Sequence, residues 1–223
     1  NHDPERKLTR QEMSRPIAAA PYSLNRLNKA KELADMEIEV LSSKSDRPAL
    51  LLYCMDSRDY STIETVRGYG WFTTDQIEWL RNSCMARTEA NGGISVPSLA
   101  FFHICLQEYA QAWNNPKNSR KGKRAEDECP GALNTGMFAA MVESGSVMGT
   151  FVGHDHDNDY VVAEKGIALG YGRFSGDDST YNNLRPGARI IVVEEGQRCF
   201  ESWILEDDGR IAHRMKFSNG KIE

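Results

Sequence analysis

Residues 148–158 read MGTFVGHDHDN, an apolar run of strand length that ends on a glycine and gives way to two histidines set among acids and an amide. Residues 96–106, VPSLAFFHICL, repeat the pattern, with His103 near the end of the run. Short runs of β-branched and aromatic residues bounded by turn formers predict buried strands, and PALLLYCMD at 48–56 predicts another. Between the first two of these in chain order, TTDQIEWLRNSCMARTEA at 73–90 predicts an amphipathic helix. Thr74 or Asp75 is its expected cap, Ile77, Leu80 and Cys84 share one face, and Asn-Gly-Gly stops it. TGMFAAMVESGSV at 135–147 predicts a second helix. From residue 159 onward the chain reads as short strands, with DDG at 207–209 and SNG at 218–220 as hairpin turns. The fold class is therefore α/β with a β-rich end. Residues 1–223 read as one domain, without linker or internal repeat.

Composition narrows the function classes. With 40% hydrophobic and 26% charged residues, the chain has an ordinary water-compatible balance and no apolar run long enough to span a bilayer. A net charge of −5 speaks against indiscriminate binding to nucleic acid or an anionic membrane. The basic cluster KNSRKGKR at 117–124 is followed at once by AEDE and reads as a solvated loop within a polar segment, 107–135, that borders His103. Five scattered cysteines without a C-x-x-C argue against a disulfide framework and a structural zinc site; Cys54 and Cys105 read as buried thiols.

The histidines carry the chemistry. In open α/β sheets, loops leaving the carboxyl ends of strands build the site, so His103, His154 and His156 can converge although they are distant in sequence. Neutral imidazole is a common ligand of divalent metals, and a metal site fed by these three is the expectation. The alternatives are a core histidine at 103 and a surface loop at HDH. Asp155, Asp157, Asn158 and Asp159 offer oxygens that could orient the imidazoles. His213 has no assigned role. Arg173 could meet a phosphate oxygen, but a surface turn is the plainer reading.

The ordered set NHD (1–3), FH (102–103) and GHDH (153–156) resembles the last three of the five sequence blocks of calcineurin-like metallophosphoesterases. YCMDSRDYS, GYGWFTTDQIEWL, AFFHICLQEY and FVGHDHDNDY look like the purple acid phosphatase-related branch. The resemblance implies part of a four-layer αββα sandwich. It also implies a two-metal centre of iron, manganese or zinc, in which a bridging hydroxide attacks the phosphorus of a phosphate ester. By the same resemblance Asn1, His103 and His154 bind one metal and His156 the other, while His2 is general acid with Asp3 holding its ring. The family's blocks D-x-H and G-D-x-x-D have no counterpart here. The expectation is an N-terminally truncated domain that lacks its first strands, inactive alone and completed by an oligomer or a missing N-terminal segment. The alternative function is a non-catalytic remnant or binding module of the same fold. Neither nucleic acid nor membrane is an expected partner; a secreted or periplasmic location is compatible with the sequence.

Overall fold

The computed structural model describes residues 7–176 and 183–223. Helix α1 (Arg10–Ala19) opens the described chain. Strands β1 (Met36–Leu41) and β2 (Pro48–Cys54) then form an antiparallel pair. Helix α2 (Thr74–Ala90), strand β3 (Ser98–Phe101), helix α3 (Glu108–Asn114) and the short strand β4 (Arg120–Lys121) follow. Helix α4 (Met137–Ser144) precedes β5 (Val147–Val152), β6 (Val161–Glu164) and β7 (Ile167–Tyr171). The end of the chain is all strand: β8 (Gly187–Val193), β9 (Cys199–Glu206), β10 (Ile211–Ser218) and β11 (Lys221–Ile222).

Two sheets result, one of seven strands in the order β1-β2-β3-β5-β7-β6-β4 and one of four in the order β11-β10-β9-β8. In the larger sheet β2, β3, β5 and β7 are mutually parallel, so their carboxyl ends lie along one edge. Alternation along each strand sorts the core into two layers. On β7, Ile167, Leu169 and Tyr171 join the cluster that includes Leu80, Met137 and Met141 of the helices, whereas Ala168 faces the second sheet. Leu99, Met148 and Phe151 meet Phe200, Met215 and Phe217 of the four-stranded sheet. The described residues thus form three layers, helices on sheet on sheet. Because β5 and β7 are covered on both faces they are buried throughout, as their largely apolar sequences allow, with the Thr150 hydroxyl of β5 paired to that of Tyr109.

Several local expectations are corrected. Helix α2 is capped by Thr73 rather than Thr74 or Asp75, in a capping box with Gln76, whose side chain reaches back to the Thr73 N–H at 3.0 Å. Its face of Ile77, Leu80 and Cys84 is buried as read. The helix α1 was not expected, although Thr9 and Glu12 form a complete capping box. Part of the basic cluster is edge strand β4, and Arg124 is not free in solvent but pairs with Asp127 and Glu128. Cys54 is half-buried, whereas Cys105 is buried. The DDG and SNG turns join β9 to β10 and β10 to β11; Asn219 and Gly220, at φ 50° and 72°, adopt the left-handed backbone that a two-residue hairpin turn demands. No described helix is long and apolar enough to cross a membrane.

Candidate active site

Each central parallel strand delivers a chemistry-bearing side chain two residues beyond its last residue: Asp56 after Cys54, His103 after Phe101, His154 after Val152 and Arg173 after Tyr171. Strand pairing therefore lines these groups along one edge. His103 and His154 meet there, with ring centroids 5.2 Å apart and planes at 76°. The His154 ring also sits edge-on to Tyr69 at 4.5 Å, and Tyr69 stacks on Tyr60 at 5.2 Å. Gly153 makes the approach possible: its N–H donates to the His103 carbonyl at 3.0 Å, and a Cβ there would lie 3.2 Å from His103 Nδ1.

His154 adopts φ 65°, a left-handed backbone uncommon for a residue other than glycine. The His156 ring lies by Phe174, at 6.5 Å. Asn1, His2 and Asp3 lie outside the described residues. Among the described residues, no group of three or more His, Cys, Asp and Glu side chains is arranged to hold a metal ion. His103 and His154 bring two imidazoles together, which fits part of a transition-metal ligand set.

Three of the polar residues around the pair brace the loop. Tyr171 donates to Asp155 at 2.5 Å and the Cys129 N–H to its other oxygen at 3.1 Å. Burial pushes the Asp155 carboxyl up to about 6, against the opposing pull of the Tyr171 hydrogen bond. Asn158 accepts from the N–H groups of Ala125 and Glu126 at 2.9 and 3.2 Å, tying the loop to the 120s segment. Asp159 accepts from the Lys123 N–H at 2.6 Å and pairs with Arg173.

Arg173 is therefore no surface turn: its side chain is 2% exposed, and its Nε has no hydrogen-bond partner among the described residues. Beside it Arg189 donates to the Tyr171 carbonyl at 2.6 Å, to Ser202 Oγ at 3.0 Å and to the Asp159 carbonyl. Burial lowers the Arg189 guanidinium to about 10 despite the nearby Asp159. His213, without a role in the sequence reading, reaches Asp159 at 3.5 Å. The one hint of Arg189's position in the sequence is an arginine opening the apolar run ARIIVV.

No family model matches the chain. The protein named Probable inactive purple acid phosphatase 29 of Arabidopsis thaliana is 31% identical over 222 residues, which cover 91% of this chain and 56% of that protein. Phosphatase DCR2 of Saccharomyces cerevisiae is 28% identical over 196 residues, 82% of this chain and 31% of that one. Among solved structures, a dimetal phosphatase from Danio rerio overlaps 70% of this chain and 38% of its own at 17% identity and a TM-score of 0.37. The chain spans about half the length of the Arabidopsis relative.

The chain is thus a mixed α/β protein with a histidine pair at its strand ends and phosphatase relatives. Its sequence is similar to those of proteins named as probable inactive purple acid phosphatases.

Proposed function

We propose that this chain carries the histidine-bearing part of a metal centre that hydrolyses phosphate mono- or diesters. The observation behind the reading is the meeting of His103 and His154 at the ends of two neighbouring parallel strands. In this reading Asn1, His103 and His154 hold one of two ions of iron, manganese or zinc, and His156 holds the other. Such ions supply positive charge to phosphoryl oxygens and acidify water. His2, with its ring held by Asp3, donates the proton that the leaving oxygen needs, because an imidazole titrates near neutral pH. The braced 153–160 loop keeps His154 against His103, and Tyr69 covers its ring from the side. The complementary ligands come from a further segment of a longer protein or from a second chain.

A second reading, a non-catalytic module of the same fold, has its own support in the word "inactive" in the Arabidopsis relative's name. Hydrolysis of a generic aryl phosphate with added Mn²⁺ separates the two. The hydrolase reading expects turnover that falls at least 100-fold in both His103→Ala and His154→Ala. Metal retention without turnover, in this chain and in the longer protein alike, refutes it in favour of the module.

A further inference from the structure

Beside His103 lies a cavity of about 290 Å³ that the catalytic reading does not use. It is roofed by α1 and floored by the ends of β2 and β3. Its described walls include Met13, Ile17, Leu33, Met36, Met55 and Phe101, with His103 at its edge. Most of the polar groups that reach it are engaged within the protein, and the Asn25 amide and the Cys54 thiol also line it. Arg10 pairs with Asp56 and Glu32. Ser57 Oγ accepts the Ile104 N–H at 2.8 Å. Ser14 Oγ donates to the Arg10 carbonyl at 2.6 Å and accepts the Leu33 N–H at 3.2 Å.

We propose that this cavity binds the organic part of the substrate, and that this part is a flat, apolar, ring-containing alcohol. The inference rests on the hydrolase reading for the phosphate end, which would lie at His103 and His154. A sugar or ribose entering the cavity would exchange water for walls that offer few uncommitted polar atoms, leaving most of its hydroxyls unpaired. An aryl group loses nothing and gains contact with three methionines, whose unbranched, polarisable side chains adapt to ring faces. On the scale where an apolar cavity of about 150 Å³ takes benzene, about 290 Å³ has room for two fused rings. Neutralisation of Asp56 by Arg10 also leaves no lone charge to welcome a second ionic group. The substrate class is therefore aryl phosphate esters, in preference to nucleotides and sugar phosphates.

The test labels the methionine methyl groups of the full 223-residue chain with ¹³C and titrates 2-naphthol, which needs neither metal nor turnover. Saturable shifts are expected at Met13, Met36 and Met55 and not at the exposed Met85, with adenosine at equal concentration moving none of them. Ala34→Leu, which fills one wall, should weaken naphthol binding at least tenfold while leaving the melting temperature close to wild type. Unmoved methyls at Met13, Met36 and Met55 overturn the proposal, as does an equal response to adenosine. Should Ala34→Leu not fold, the wild-type titration decides alone. Assay of 2-naphthyl phosphate with Mn²⁺ keeps the two readings apart. Binding by this chain with no hydrolysis by the longer protein refutes the hydrolase and leaves the cavity's ligand class standing, whereas hydrolysis without methyl shifts refutes the cavity.

Discussion

Replacing Asp159 by asparagine removes one negative charge from the buried cluster that locks the 153–160 loop to the second sheet. The side chains of Asp159 and Arg173 are 0% and 2% exposed, so neither charge is screened by water. In the variant, Arg173 keeps, among the described residues, only Glu206, at 3.4 Å, as an acidic partner, and Arg189 loses its main compensating charge. Breaking a buried pair by removing one partner costs about 3–5 kcal/mol. Asparagine can still accept from the Lys123 N–H and from Arg173, which puts Asp159→Asn near the lower bound, about 3 kcal/mol. For a chain of this size each kcal/mol lowers the melting temperature by roughly 2–4 °C, so the expected loss is about 6–12 °C. Urea unfolding followed by circular dichroism measures it, with an unchanged m-value if the variant folds to the same state. The double variant Asp159→Asn/Arg173→Met, which deletes both charges, should recover part of the loss. A melting temperature within 2 °C of wild type for Asp159→Asn would refute the claim that this pair holds the loop.

Two further predictions concern the site itself. Gly153→Ala places a Cβ 3.2 Å from His103 Nδ1, a few tenths of an ångström too close, so the ring must shift. Manganese affinity measured by calorimetry should fall about tenfold, the order seen when a ligand's support is disturbed, while stability changes little; unchanged affinity would contradict His103 as a ligand. Asp155 has a folded-state value of about 6 against an ordinary 3.8, so the metal-free folded state holds its proton more tightly than the unfolded one. Its contribution therefore works against folding as pH rises from about 4 to 6, by about 3 kcal/mol in all. Tyr171→Phe removes a hydrogen bond that opposes this shift and should steepen the decline in urea stability, whereas a flat profile would contradict the assignment.

Much of the fold was written in short-range patterns. Apolar runs with turn formers at their ends located the strands that carry His103 and His154, and 3.6-residue spacing found the buried face of α2. DDG and SNG marked their hairpins because only a few residues tolerate the backbone these turns impose. Helix α1 was legible in Thr9-x-x-Glu12 but masked by its weak apolar periodicity and by Pro16. The meeting of His103 and His154 followed from their places after buried strands, since parallel pairing puts those ends side by side. What the sequence could not disclose was which partner each polar residue would find. Arg173 follows Gly-Tyr-Gly and looks like turn chemistry; only the packing of the four-stranded sheet against the larger one buries it with Asp159 and Arg189. Likewise Asp155 sits between two histidines in sequence, yet its carboxylate bonds to Tyr171 and Cys129, sixteen and twenty-six residues away.

Metal stoichiometry of the purified chain tests the central claim most directly. Wild type, His103→Ala and His154→Ala are loaded with Mn²⁺ or Zn²⁺, dialysed and measured by elemental analysis beside their melting curves. The account predicts about one retained metal per wild-type chain and its loss in each variant, both variants still folded. No retention by the wild type, or equal retention by all three, would contradict it.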